Sequence, residues 1–524
     1  MANAQIEMVQ MSEWSGGLNT ETPWPNLLPN ELRTAENIDL TLTGQIRKRL
    51  GFTSYSTAEN AAMADGRFLF FWDQLGSTND WFILVDADGD VFASINTDFS
   101  AAAVADLGSS ATDTVPIGVT AFDNVLYLTS RRANPRSFDG TTWTEITDIT
   151  LDGDGGEFPK ASFILSKHER VFAANIDNNG TIERSRVRWS NVGDATTWGT
   201  LSWVDVDPDD GTQITGMVGF ADGILIFKNH SMFFLSGVDE DTFTLFPVDS
   251  SVGTNSPGTI AIGGKAVYFL DNSKGVFRYD GTGVEILSQK IETELLTQFN
   301  NDPTQWPHHT AAFYRDKYYL SGFITGSTTP RTYVFNARLD AWVKWTFAWY
   351  GSAERDGLLY TVGATNVGAD LGIFEMFAST ADNGNNVDAI VDTAFLPFGA
   401  EGSISPVQNR LRGIDLILGD RATAEAGTRT LSTSVSPTPR FDYRDFGSGG
   451  ETFNLDTNET GADFSIVRTR SGGGEDADGL PSLHTAIAVH VAFAATTATD
   501  AVILNGINIY FSRRRSVRRS GFVT

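Results

Sequence analysis

Asp222-Gly-Ile-Leu-Ile-Phe227 and Gly264-Lys-Ala-Val-Tyr-Phe-Leu270 decide the fold. Each is a polar turn followed by a short run of β-branched and aromatic residues, which suits a strand and is too short for a helix. The unit recurs as Asp65-Gly-Arg-Phe-Leu-Phe-Phe71, Asp123-Asn-Val-Leu-Tyr-Leu128, His168-Glu-Arg-Val-Phe-Ala173, Asp316-Lys-Tyr-Tyr-Leu320 and, more weakly, Asp370-Leu-Gly-Ile-Phe374. With Phe68, Val125, Val171, Ile224, Val267, Tyr318 and Ile373 as markers, successive spacings are 57, 46, 53, 43, 51 and 55 residues. An interval of that length holds four short strands, and self-similarity at such a period is the signature of a β-propeller, here of six or seven blades.

Within several intervals an aromatic run meets an Asp-Gly turn, as in Phe138-Asp-Gly-Thr-Thr-Trp143 and Tyr279-Asp-Gly-Thr-Gly-Val284. Asp-Gly between apolar runs predicts a hairpin, since both central positions of a type I′ turn need positive φ. Tyr333-Val-Phe-Asn336 followed by Asp340-Ala-Trp342 is a looser copy. One segment departs from the pattern: in 288–300, Ile291, Leu295, Leu296 and Phe299 fall at helical spacing, with Ser288 as N-cap, which predicts one inserted amphipathic helix.

After about residue 386 the repeat stops. Five strand-like runs follow, at 387–395, 411–418, 431–435, 486–493 and 501–511, separated by Gly- and Asp-rich segments such as Gly447-Ser-Gly-Gly450 and Ser471-Gly-Gly-Gly-Glu-Asp476. The expected organisation is all-β: an N-terminal attachment segment over 1–55, a β-propeller over 56–385, and a C-terminal β-sandwich with a basic tail over 386–524.

Composition narrows the function. The chain has no cysteine, so it carries neither disulfide nor thiolate chemistry, as suits assembly in a reducing cytoplasm. Its start lacks the pattern of a signal peptide. Its longest apolar stretches, such as 485–495, are far below the roughly 20 residues that span a bilayer, so no membrane segment is expected. The net charge of −27 argues against a general nucleic-acid footprint, because neutralising phosphates needs a basic surface. Arginine is nevertheless clustered at Arg513, Arg514, Arg515, Arg518 and Arg519, with smaller groups at Arg47–Arg49 and Arg131–Arg136.

Catalytic signals are absent. No nucleophile elbow, phosphate loop or dinucleotide fingerprint occurs. The acidic stretches Asp86-Ala-Asp-Gly-Asp90, Asp152-Gly-Asp-Gly-Gly-Glu157 and Asp205-Val-Asp-Pro-Asp-Asp-Gly211 resemble calcium loops, yet the twelfth positions counted from Asp152 and Asp205 are Phe163 and Gly216, which supply no closing carboxylate. They read as turns. His308 and His309 are adjacent and would point to opposite faces of a strand, which does not suit one metal; packing is their expected role. No cofactor is expected.

The opening of the chain carries a resemblance. Trp14-Ser-Gly-Gly-Leu-Asn-Thr20, then Glu36-Asn-Ile-Asp-Leu40, then Gly44-Gln-Ile-Arg-Lys-Arg-Leu-Gly-Phe52 are similar to the start of phage tail hub and nozzle proteins, among them the packaged-DNA stabilisation and tail tubular B groups of short-tailed phages. There a glycine turn leads to an asparagine-containing strand, and a Lys-Arg pair stands just before a glycine and the first blade. The segment Gly264–Glu292 resembles the same proteins in its Tyr-Phe-Leu strand, its Gly-Val-Phe-Arg-Tyr-Asp-Gly turn and its Gln289-Lys-Ile-Glu292 helix start. The resemblance implies a virion tail protein: a ring, expected to be a homohexamer, below the portal and adaptor, with fibres or a needle as further partners. Such a ring lines the lower DNA exit channel and serves DNA retention and ejection, with duplex DNA passing through unbound.

In that setting an acidic lumen would keep DNA from adhering, although charge of this kind also serves solubility. Arg513, Arg514, Arg515, Arg518 and Arg519 would contact DNA or, the favoured reading, dock on an acidic patch of a neighbouring subunit. Arg47, Lys48 and Arg49 would pin the N-terminal segment to a partner or to the propeller rim. Two rivals stand beside this reading: a propeller-fold polysaccharide depolymerase with paired carboxylates, and a glycan-binding module using aromatics such as Trp342, Trp345, Trp349 and Tyr350.

Overall fold

The computed structural model describes residues 6–63, 66–76, 80–107, 117–299, 302–322, 330–363 and 372–397, and then the strands at 409–418, 429–436, 453–454, 465–470, 483–484, 486–495 and 503–513. The chain divides into two compact units. One comprises Ser54–Thr332 and Phe347–Met376; the other comprises Met1–Thr53, Tyr333–Thr346 and Phe377–Thr524.

The first unit is a β-propeller. Five consecutive four-stranded antiparallel sheets lie wholly within it: Gly66–Asp73 to Ala105–Asp106, Gly118–Phe122 to Trp143–Glu145, Lys160–Lys167 to Trp203–Asp205, Ile214–Phe220 to Thr244–Asp249, and Ala261–Gly263 to Val284–Ile286. The hairpin of Thr310–Tyr314 and Lys317–Gly322 and the sheet of Gly351–Arg355, Leu358–Val362 and Ile373–Ser379 follow as sixth and seventh repeats. The next strands of the sixth repeat, Arg331–Asn336 and Ala341–Trp345, fall mostly in the other unit.

The repeat was legible because the second strand of each blade is covered on both faces. Gly223–Lys228 and Ala266–Asp271 are buried throughout, and Val125–Ser130 is buried beyond its first residue. Such strands read as unbroken apolar runs instead of alternating ones. Two markers sit on other strands: Phe68 lies on the first strand of its blade and Ile373 on the third.

Neighbouring blades share apolar layers. Leu126, Leu128 and Phe138 meet Trp72, Ile83 and Val85 between the first and second. Tyr127 stacks on Phe158 at 4.7 Å, and Phe158 meets Trp198 edge-on between the second and third. Val187 and Phe172 pack with Ile224, Ile226 and Leu235, and Leu225 and Phe227 with Val267 and Phe269, between the next pairs.

The last sheet packs on the first, through Tyr360, Val362 and Ile373 against Leu69, Phe82 and Leu84. The backbone amides of Tyr55 and Ser56 both donate to the carbonyl of Ile373, at 2.7 and 3.2 Å. Residues just before the first blade thus complete the last one, and the ring closes on itself, removing the edges an open sheet would leave.

The turns refine the sequence reading. Phe138 pairs with Trp143 and Tyr279 with Val284, so each Asp-Gly sits in a four-residue loop, not a two-residue type I′ turn. The side chains of Asp139 and Asp280 hold these loops by accepting backbone amides two and three residues on. Two-residue turns with both positions at positive φ include Asp123-Asn124, His168-Glu169, Arg315-Asp316 and Asp356-Gly357, each leading into a second strand, and Asn179-Gly180, which leads into the third strand of its blade.

The inserted helix is Glu292–Phe299, with Leu295 and Phe299 buried. Ser288 is not its N-cap: the hydroxyl accepts the amide of Val276, tying the loop before the helix to the fifth blade.

In the second unit, Ile503–Arg513 is a central strand. On one side it pairs with Asn409–Leu418, and on the other with Ile6–Met11 and Ile46–Lys48. A further sheet runs from Ala341–Trp345 through Glu31–Glu36 and Ala389–Thr393 to Ala486–Ala495 and Arg429–Ser436. All five strands expected after residue 386 are present, and they are completed by strands from the first 53 residues. The unit therefore draws on both parts of the chain, where an attachment segment and a separate sandwich were expected.

Candidate functional site

The residues that carry the opening resemblance form one interior network in the second unit. Its centre is Arg49. Ile46–Lys48 alternates buried, half-buried and buried, so Ile46 and Lys48 face inward while Arg47 stays 42% exposed and pairs with Asp39 at 3.3 Å. One residue on, the Arg49 side chain is 1% exposed. Its two terminal nitrogens donate to the two carboxylate oxygens of Asp382, at 2.8 and 2.5 Å. Its Nε donates to Asn37 Oδ1 at 3.0 Å and Nη1 to the carbonyl of Leu50 at 3.1 Å, and its plane lies 5.4 Å from the Trp345 ring. A planar fork meeting a carboxylate in two places is the geometry arginine offers and lysine does not.

Asn37 is the second hub. It sits in the left-handed region at φ 53°, which asparagine tolerates better than most residues. Its Nδ2 donates to Thr346 Oγ1 and to the carbonyl of Asp388, at 2.8 and 2.7 Å, and its Oδ1 accepts the amide of Thr346. Trp345 Nε1 donates to the carbonyl of Ile38, closing the ring of contacts.

Two glycines make this approach possible. At Gly17, φ is 63° and a Cβ would stand 2.8 Å from the carbonyl oxygen of Trp342. At Gly51, a Cβ would stand 2.1 Å from the carbonyl oxygen of Ala381, beside the bond from the Phe52 amide to that same oxygen.

Among the residues singled out in the sequence, Lys48 and Arg49 are therefore interior, and Arg49 binds its own chain. Arg47 alone of the three shows a substantial exposed surface. Arg513 ends the strand whose beginning, Ile503, pairs with Arg47. Arg513 thus stands at the far end of that strand from the residue that pairs with Arg47, about 33 Å along it at ~3.3 Å per residue. Arg514, Arg515, Arg518 and Arg519 lie outside the described residues. Asp382 was not marked beforehand, although the Asp-Asn-Gly turn at 382–384 was a signal; Asn37 stood only as the asparagine of the opening resemblance and Trp345 only among the aromatics of the glycan-binding reading.

The acidic loops are turns held by their own carboxylates. Asp86, fully buried, accepts the amides of Asp88 and Asp90, both at 2.9 Å. Burial, followed by the neighbouring carboxylate of Asp86, raises the Asp90 carboxyl above its usual range. Glu157, 1% exposed, accepts the amides of Asp152, Gly153 and Trp198. In the third loop the buried ammonium of Lys228 donates to the carbonyls of Val206 and Asp207 and to Asp210, at 3.0, 2.7 and 2.6 Å. A tethered cation stands where a metal loop would hold a free one. Among the described residues no group of three or more His, Asp or Glu side chains is placed to hold a metal. His309 is packed, with Nε2 3.2 Å from the carbonyl of Phe299, and burial pulls its imidazole down to about 4. Trp342, Trp345 and Trp349, which a glycan-binding reading would expose, are all buried. Among the described residues no helix is long and apolar enough to cross a membrane.

No protein-family model and no curated protein matches the chain. Solved structures give distant likenesses. YCF48 bound to a D1 peptide is 10% identical over 61% of this chain and 95% of its own, with a TM-score of 0.38. BBS1N in complex with ARL6DN is 12% identical over 64% and 99%, with a TM-score of 0.39. The extracellular domain of BT4673 from B. thetaiotaomicron is 9% identical over 88% and 62%, with a TM-score of 0.40. At these values the likenesses assign neither family nor activity.

Proposed function

We propose that the chain is a structural, non-catalytic subunit of a phage tail hub or nozzle. In this reading copies assemble as a ring below the portal and adaptor and line the channel through which DNA leaves. The observation that carries the reading is the Arg49 network. The glycine turn, the asparagine-containing strand and the basic pair before a glycine are the three parts of the resemblance; here Asn37 and Arg49 bond one another in one interior cluster, and Gly17 lets the chain approach Trp342 on the strand that carries Trp345. A pattern whose parts are physically coupled is a fold determinant, not a chance match of polar residues. The net charge of −27 suits a channel that lets DNA pass without holding it.

The test is the mass of the purified full chain by light scattering, alone and with an adaptor ring. A closed ring near six copies, formed alone or on the adaptor, is the expected result. A monomer that ignores the adaptor refutes the proposal. Hydrolysis of a host polysaccharide would refute its non-catalytic part.

A further inference from the structure

Asparagine stands directly before glycine at three places, Asn179-Gly180, Asn383-Gly384 and Asn505-Gly506. In such a pair the glycine amide nitrogen can close a ring on the asparagine side-chain carbonyl carbon, because no Cβ on the glycine hinders the approach. In a folded chain the reaction needs an unengaged glycine amide, room for the peptide between the two residues to turn, and local pairing that opens.

The three pairs differ in these respects. Gly506 lies buried within Ile503–Arg513, opposite Ile417, and a Cβ there would stand 3.1 Å from the Met11 carbonyl oxygen. Gly180 is exposed in its turn, but its amide donates to the Asp177 carboxylate at 2.7 Å. Gly384 is also exposed, with nothing within 4 Å of where a Cβ would stand, and among the described residues its amide makes no hydrogen bond. Both turns are closed by a flanking pair, Asn178 with Thr181 and Asp382 with Asn385. That barrier is shared, so the bond from the Gly180 amide to Asp177 separates the two.

The turn at 382–385 also positions the partner of Arg49. The amides of Asp382 and Asn385 each donate to the other's carbonyl, at 2.9 and 2.8 Å. The Asn383 amide donates to the carbonyl of Phe52 at 2.8 Å, and the Phe52 amide to that of Ala381 at 3.1 Å. These bonds hold the Asp382 carboxylate where both terminal nitrogens of Arg49 reach it.

We infer that Asn383 is a site of spontaneous deamidation that reacts ahead of Asn179 and Asn505, and that isoaspartate formed there releases Asp382 from Arg49. Hydroxide removes the Gly384 amide proton, the nitrogen bonds to Asn383 Cγ, and the Cγ–Nδ2 bond breaks as Nδ2 takes up a proton and leaves as ammonia. Water then opens the succinimide. Attack at Cγ yields aspartate; attack at the main-chain carbonyl of residue 383 yields isoaspartate, whose main chain is longer by a methylene. A turn pinned to Phe52 has no slack for the added atom, so the pairing of Asp382 with Asn385 and the fork to Arg49 cannot both persist. The inference does not depend on the tail-protein reading.

The experiment is incubation of the full chain at mildly alkaline pH, below its melting range, followed by peptide mapping with electron-transfer fragmentation, which separates isoaspartate from aspartate. Conversion about tenfold faster at Asn383 than at Asn179 is expected, the factor given by about 1.4 kcal/mol of hydrogen bonding at the Gly180 amide, with none at Asn505. In the isoaspartate-containing fraction the Phe52 amide should lose hydrogen-exchange protection. Asn383→Gly keeps the left-handed backbone at φ 45° and should abolish this ageing, whereas Asn179→Gly should not. An unreacted Asn383, or one that reacts no faster than Asn179, overturns the assignment of the site. Isoaspartate at position 383 that leaves Phe52 protected overturns the link to Arg49.

Discussion

Replacing Arg49 with methionine should destabilise the second unit without touching the propeller. The substitution keeps most of the side-chain volume but removes the fork that meets both oxygens of Asp382 and the donors to Asn37 and Leu50. Arg49 is 1% exposed and Asp382 15%, so the stranded carboxylate regains little water. Removing one partner of a buried pair costs about 3–5 kcal/mol. At roughly 2–4 °C per kcal/mol for a unit of this size, its melting transition should fall by roughly 6–20 °C. The assay is calorimetry combined with hydrogen exchange, following the amides of Arg49 and Phe52, which bond to the carbonyls of Asn37 and Ala381. Both should lose protection while the amides of Ile224 and Phe269 keep theirs. Arg49→Lys should recover only part of the loss, because an ammonium cannot make the paired contact. The double change Arg49→Met with Asp382→Leu should be milder than the single one, since it leaves no charge behind. An Arg49→Met protein that melts within 0.5 kcal/mol of the parent, yet fails to assemble, would refute this reasoning and return Arg49 to the role of a partner contact.

Three further outcomes follow from the structure. His309 has a depressed folded pKa of about 4 against an ordinary 6.5, so its contribution to stability is complete above pH 6.5, is lost as pH falls towards 4, and changes no further below. The loss is bounded at about 3 kcal/mol, and His309→Gln should flatten that part of a stability-versus-pH curve; an equal slope in both proteins would count against it. Lys228→Met leaves Asp210 and two carbonyls without their buried cation and should cost about 3 kcal/mol in denaturant titration, whereas a cost below 1 would mean water replaces the ammonium. Phe158→Ala opens the layer between the second and third blades next to Tyr127 and Trp198 and should cost about 3–5 kcal/mol, with a shift under 1 showing that the blades collapse around the gap.

What was legible in the sequence follows from where apolar residues had to be. Second strands of the blades, such as Ile224–Phe227 and Val267–Leu270, are buried on both faces and therefore stand out as unbroken runs. Outer strands such as Trp143–Glu145 and Val284–Ile286 are three residues long and bury none of them fully, so only the Asp-Gly turn before each marks its place. The helix was visible from its spacing, but its start was misplaced because Ser288 serves the neighbouring strand. The basic pair before Gly51 was visible as charge. Its inward orientation was not, because that is set by Asp382, 333 residues further on, and no local pattern carries so distant a partner. The bulge at Asn175, which meets Arg131 of the neighbouring blade, is likewise a property of register, which composition does not reveal.

The position of Ile503–Arg513 has a consequence for how the protein is made. This late strand is the inner member of its sheet, with Asn409–Leu418 on one side and the early strands Ile6–Met11 and Ile46–Lys48 on the other. Ile46–Lys48 can pair early with Ile38–Leu40, but Ile6–Met11 must wait for a partner synthesised about 500 residues later, at about 5–20 residues per second, or roughly half a minute to a minute and a half. The propeller can close as soon as Ile373 has emerged, because its last bonds run to Tyr55 and Ser56. A chain cut short between those two points would carry a finished propeller beside unpaired strands, the kind of exposed edge that chaperones and proteases recognise. Completion of the second unit thus acts as a check that translation has run through residue 513.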